Sequence, residues 1–140
     1  MIQLIVGDKG KGKTKYLLEN VNNAVSTTMG NIVYLDKNSK HMYELKNKIR
    51  LINVSEYPIE STDEFMGFVC GIVSQDHDLS QVYFDSFLTL AYVESHEEVE
   101  AIVRKLEQIS NQFTVDFVIS MSLNEAELSD YLKSMVIVSL

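Results

Sequence analysis

The chain has 140 residues, 46% of them hydrophobic and 23% charged, with one proline, which is the composition of a folded protein and not of a disordered one. That length supports one domain with a substantial core, so residues 1–140 are expected to form a single unit. A net charge of −8 argues against a general nucleic-acid grip, which needs a basic surface to displace counterions around the phosphates.

The first element is an apolar run, Ile2, Leu4, Ile5 and Val6, as expected of a buried parallel strand. It ends at Gly7-Asp8-Lys9-Gly10-Lys11-Gly12-Lys13-Thr14, a glycine followed after four residues by Gly-Lys-Thr. Each position has a physical task. Gly7 and Gly12 permit a turn in which successive backbone N–H groups point inward, Gly10 relaxes its middle, and the following helix adds the positive end of its dipole. Lys13 is expected to reach phosphate oxygens as a point charge, and the Thr14 hydroxyl to complete the coordination of a Mg²⁺ ion. Lys9, Lys11, Lys13 and Lys15 supply four of the 12 basic residues, so an otherwise acidic protein gathers positive potential at one mouth. Asp8 completes the set of loop residues expected to line a nucleotide.

Thr14 to Val25 carries Leu17, Leu18, Val21, Ala24 and Val25 at helical spacing, and Met29-Gly30-Asn31 reads as a helix stop. Asn31 to Asp36 reads as a strand ending in a carboxylate, Lys37 to Lys48 as a short polar helix, and Arg50 to Val54 as a third strand. Ser61-Thr62-Asp63-Glu64 is a capping-box start for a helix carrying Phe65, Phe68, Val69, Ile72 and Val73. Within it, Gly67 and Gly71 suggest close packing against a neighbour, and Cys70, the only cysteine, is expected to be buried. Gln81 to Asp85 is a further apolar strand ending in aspartate. A helix over 95–112, a strand over 114–120, a short helix over 124–132 capped by Asn124 or Ser122, and an apolar strand over 135–140 complete the chain.

Strand, glycine loop and helix in this order resemble the P-loop NTPases, and the element order does so over nearly the whole chain. In that superfamily an apolar strand ending in aspartate is the Walker B element, so the resemblance makes Asp85 the carboxylate that holds Mg²⁺ with Thr14; Asp36 closes its strand in the same manner and is the alternative. It also implies an α/β three-layer sandwich: a mainly parallel sheet of five to six strands with helices on both faces. In the additional-strand branch, which includes the RecA-like proteins, the strand over 114–120 would lie between the P-loop strand and the strand over 81–85. Ser120 at its end looks like that branch's γ-phosphate sensor, although a serine there is also an ordinary turn former. The glutamate that usually follows the Walker B aspartate is Ser86 here. Asp36 and Glu56, at the ends of other strands, are the substitutes for a base.

More narrowly, the chain is similar to short bacterial P-loop proteins with general ATP-binding labels, some bearing the name of the twitching-motility ATPases. Those motility enzymes are far longer, with an amino-terminal domain and histidine motifs that have no counterpart here, so their ring and motor activity are not implied. Together these features imply an ATP- and Mg²⁺-binding protein with slow or partner-stimulated hydrolysis. A non-catalytic, nucleotide-responsive interaction module and a small-molecule or nucleoside kinase are the alternatives. Self-association or a protein partner is expected, nucleic acid and membrane are not, and the chain's opening on a strand without a basic leader predicts a cytoplasmic protein. His41, His77 and His96 lack ligand spacing and are expected at the surface, and Arg50 and Arg104 are expected to be structural or solvent-facing. Tyr16, Tyr34 and Tyr43 are the candidates to face a base.

Overall fold

The computed structural model describes residues 1–140. Its centre is a six-stranded sheet, all parallel, in the order β3-β2-β4-β5-β1-β6. The strands are β1 (Ile2–Val6), β2 (Asn31–Asp36), β3 (Ile49–Asn53), β4 (Leu79–Phe84), β5 (Asp116–Met121) and β6 (Val136–Ser139). As the resemblance implied, β5 lies between β1 and β4. Helices α1 (Lys13–Ala24), α2 (Thr62–Ser74), α3 (Phe87–Leu90), α4 (His96–Phe113) and α5 (Asp130–Lys133) cover it.

The period-two alternation of a strand sorts each sequence between two faces. Leu4, Val6, Val33, Leu35, Val82, Phe84, Phe117 and Ile119 point one way and meet α2 and α4 in a core of 28 buried residues. Phe84 anchors that core, edge-to-face with Phe65, Phe87 and Phe117 at 5.5–6.0 Å. Ile5, Tyr34, Tyr83 and Val118 point the other way and meet Leu17, Leu18 and Val21 of α1 in a smaller core of nine. The same alternation, continued past the last apolar residue, sends Asp36, Asp85 and Ser120 to the α1 face at the carboxyl ends of β2, β4 and β5. All three are buried.

Several expectations need correction. Lys37 to Lys48 is not a helix; it holds only a 3-10 turn at Met42–Glu44. Asn38 Oδ1 accepts the Lys40 N–H at 2.9 Å and Asn22 Oδ1 accepts that of Lys46 at 3.0 Å, so side chains take the donors a helix would use. The helix over 124–132 is divided into a 3-10 turn at Glu125–Glu127, capped by Asn124, and α5, capped by Ser129. Cys70 is exposed, because Phe65, Val69 and Val73 define the inner face of α2 and position 70 is a step round from it. Gly67 and Gly71 pack against nothing, since an added Cβ at either meets no atom within 4 Å. Ser61 does cap α2 by accepting the Glu64 N–H, but the Glu64 carboxylate reaches the N–H of Glu60 instead of closing the box.

Gly30 serves packing more than helix termination. A Cβ there would lie 2.1 Å from Ser80 Oγ and 2.2 Å from the Asp78 carbonyl, which accepts the Asn31 N–H at 2.7 Å to start β2 beside β4. Because backbone and not a flexible chain end must yield, Gly30→Ala should cost ~2 kcal/mol, read as a fall of roughly 6–10 °C in Tm. Gly67→Ala, placed in open space on a helix, should instead leave Tm unchanged or raise it.

Candidate phosphate-binding site

The loop between β1 and α1 has the geometry of an anion nest. Gly10 and Gly12 take positive φ, 85° and 95°, and Gly12 is the N-cap of α1. Gly7 also takes a positive φ, 152°, and is required for a second reason: a Cβ would come within 2.7 Å of the Leu140 carbonyl, where the end of β6 runs beside β1. Lys13 arches back over the loop, its Nζ donating to the carbonyls of Gly7 and Asp8, each at 2.9 Å. Partial burial lowers its pKa against the opposing pull of Asp8 and Asp85. The ammonium is thus held by backbone oxygens alone.

Beneath the loop, Asp85 is 3% exposed and gathers hydroxyls from three elements. Thr14 of α1 donates to its Oδ1 at 3.0 Å, Tyr34 of β2 donates to its Oδ2 at 2.9 Å, and Ser120 of β5 lies 3.3 Å from Oδ1. The Ser120 Oγ also accepts the Ser86 N–H at 3.0 Å. Ser86 adopts a left-handed conformation, φ 59°, that turns the chain sharply from β4 into α3. Above them opens a cavity of about 610 Å³, lined by Lys9, Lys13, Thr14, Asp85, Ser120 and others.

Lys37 and Lys40 line the same cavity, a contribution not read from the sequence. The signal was present in Lys37, which directly follows the last residue of a strand whose carboxyl end had to face the ligand. Lys15 faces a second, polar cavity of about 850 Å³ beside Thr14, also lined by Glu19, Asn22, Lys40 and Glu44. Asp8 and Lys11 are exposed on the loop itself. Tyr34 proves to be part of the floor and does not face a base, while Tyr43 is 92% exposed. Arg104 is committed elsewhere, paired with Glu100 at 3.1 Å and stacked on Tyr131.

The two carboxylates weighed as a base part company. Glu56 is exposed in the 3-10 turn after β3, the edge strand, away from the cavity. Asp36 is 2% exposed, on the strand adjacent to β4. Its Oδ1 accepts the Lys37 N–H at 2.7 Å, whereas its Oδ2 is buried with no partner. Burial first, and the charge of Asp85 second, raise its pKa to about 6. His41 is also drawn in: it is half-buried, not free at the surface as expected, and lies beside both aspartates.

No family model matches the sequence, and no curated protein matches it. Among solved structures, a KaiC-like protein from the hyperthermophilic archaeon Pyrococcus horikoshii OT3 superposes with a TM-score of 0.59 at 16% identity, over 85% of this chain and 61% of that one. The fold is therefore an α/β fold with an all-parallel six-stranded sheet, shared with that protein, and this chain spans less than two thirds of the neighbour's length. No helix is long and apolar enough to cross a membrane.

The raised Asp36 pKa has a sign that can be read. A carboxyl whose folded pKa exceeds its ordinary 3.8 binds more protons in the folded state, so its contribution to stability is fully present below pH 3.8, falls as pH rises from there and is lost above about 6. Asp36→Asn, whose amide can donate toward Asp85, should stabilise the metal-free protein at about pH 7.5 by on the order of 2 kcal/mol and have little effect near pH 4. Thermal unfolding of both proteins in chelator at the two pH values measures the difference.

Proposed function

We propose that the chain binds a nucleoside triphosphate, ATP in the first instance, with Mg²⁺, and hydrolyses it slowly or on engagement of a partner. One observation carries this: the Thr14 hydroxyl rests 3.0 Å from a buried Asp85 carboxylate directly below a glycine loop whose lysine is held by backbone carbonyls alone. In this reading the N–H groups of Gly10 to Thr14 cradle the β- and γ-phosphates, and Lys13 exchanges its carbonyl partners for phosphate oxygens. Thr14 and Asp85 offer hard oxygen atoms, the donor type that suits Mg²⁺, which when bound offsets the phosphate charge.

For hydrolysis, a water oxygen attacks the γ-phosphorus, its bond to the β–γ bridging oxygen breaks, and ADP leaves. Asp36 is the base in this reading: it does not line the cavity itself, so it takes the proton through a second water, and only while its buried oxygen holds no cation. A pKa of about 6 places it closer to neutrality than an ordinary aspartate, which favours proton acceptance at physiological pH. Ser86 and Ser120, bonded to each other below the cavity, orient the γ-phosphate without adding charge. Slow turnover follows from what this face lacks in sequence: no glutamate follows Asp85, and both arginines lie outside the cavity.

A second reading, phosphoryl transfer to a small acceptor, is favoured by the polar cavity of about 850 Å³ that shares Thr14 and Lys40 with the phosphate site. Hydrolysis and transfer separate on whether ADP production in long incubations requires an added polyhydroxylated acceptor.

Calorimetric titration with ATP, ADP and GTP in Mg²⁺ is the direct test. Lys13→Ala should reduce ATP affinity by on the order of 100-fold while the protein remains folded, because that side chain bonds only to loop carbonyls. Unchanged affinity in a folded variant removes the assignment. Asp85→Asn should weaken binding chiefly when Mg²⁺ is present, and equal losses with and without the ion would take Asp85 out of that role.

A further inference from the structure

Asp36, His41 and Asp85 each bring a ligand atom to within 4.8 Å of the others. They come from the end of β2, the turn beyond it and the end of β4, so no spacing in the sequence announces them. Two buried carboxylates side by side repel, and the Asp36 Oδ2 is buried and without a partner. Four donors nearby are committed: the hydroxyls of Tyr34, Thr14 and Ser120 to Asp85, and the Lys37 N–H to the other oxygen of Asp36. A cation is the partner this oxygen lacks.

His41 gives the cation its chemical class. Its Nδ1 lies 3.1 Å from Glu44 Oε1, and its side chain is 19% exposed. A carboxylate on one imidazole nitrogen fixes the tautomer and aims the other nitrogen, the arrangement usual where histidine binds a metal. Two carboxylates and a neutral imidazole favour borderline first-row divalent ions over Mg²⁺, which prefers oxygen throughout. Ligand atoms around such an ion stand about 3 Å apart, so the set must close by ~1–2 Å. The segment carrying His41 is an irregular turn held by side-chain hydrogen bonds and can move by that much more readily than a strand.

We propose that Asp36, His41 and Asp85 form a binding site for a borderline divalent cation, of the Mn²⁺, Co²⁺ or Zn²⁺ type, with Glu44 orienting the histidine. The site is filled without nucleotide. It shares Asp85 with the phosphate site and Asp36 with the hydrolysis proposed above, but stands whether or not that site binds ATP.

The probe is Co²⁺, titrated into the intact protein without nucleotide or Mg²⁺ and followed by calorimetry and visible absorption. One equivalent per chain should bind, with the ligand-field bands of a nitrogen- and oxygen-ligated ion. His41→Ala should reduce the affinity by more than ~10-fold, and Glu44→Gln by ~10-fold through the misoriented ring. Lys13→Ala, which tests the nucleotide reading, should leave Co²⁺ binding intact, so the two ideas fail separately. In the unsubstituted protein, Mn²⁺ should broaden the imidazole resonances of His41 at concentrations that leave His77 and His96 sharp. Absence of stoichiometric Co²⁺ uptake, equal affinity in folded His41→Ala, or equal broadening of all three histidines overturns the site.

Discussion

The buried carboxylate of Asp85 is the contact on which fold and site both depend. Removing a charge from water costs several kcal/mol unless donors replace the solvent, and three hydroxyls do so here: Thr14 from α1, Tyr34 from β2 and Ser120 from β5. None of these elements is adjacent to β4 in sequence. They converge only when β4 lies between β2 and β5 and α1 crosses the same face, so a misordered sheet would leave the carboxylate unpaired. The hydroxyls are neutral, so they replace solvent around the carboxylate without an opposite charge. A lysine or arginine in their place would hold the aspartate as firmly and cancel what it offers.

Local chemistry was legible in the chain and long-range chemistry was not. The loop from Gly7 to Thr14 is a contiguous run whose glycines, lysine and threonine have one shared explanation, and the structure gives it the backbone of a nest. Elements with a strong apolar period were readable to within a few residues, as α4 illustrates with Val99, Ile102, Val103 and Leu106 on one side. Lys37 to Lys48 failed because it has too few apolar residues to hold a helix on the sheet, while Asn22 and Asn38 compete for its backbone donors. The turn of helix α3 was missed for the opposite reason: Phe87 and Leu90 are pulled inward by the core around Phe84, not by any local signal.

Asp36 and Glu56 show where sequence reading of the site ends. Both are acidic residues close to the end of a strand, and nothing in their neighbours ranks them. Strand order does. β2 pairs with β4 and brings Asp36 to Asp85, whereas β3 lies beyond β2 at the edge and leaves Glu56 in solvent. Tyr34 and His41 follow the same rule: the hydroxyl of the first and the ring of the second acquire a role only after β2 is set beside β4.

The arrangement of charge argues for what the site selects. Lys9, Lys13, Lys37 and Lys40 line the cavity wall, and Asp85 lies at its floor with Asp36 buried beside it. The lysines attract any small anion to the mouth. A bare polyphosphate that descends meets two carboxylates in a region of low dielectric, where like charges repel strongly. A polyphosphate carrying a divalent cation meets the opposite sign at the point where its own cation lies. The wall thus favours negative charge and the floor favours positive charge. Two signs of charge in one cavity set a stricter condition on any ligand than a basic pocket alone would impose.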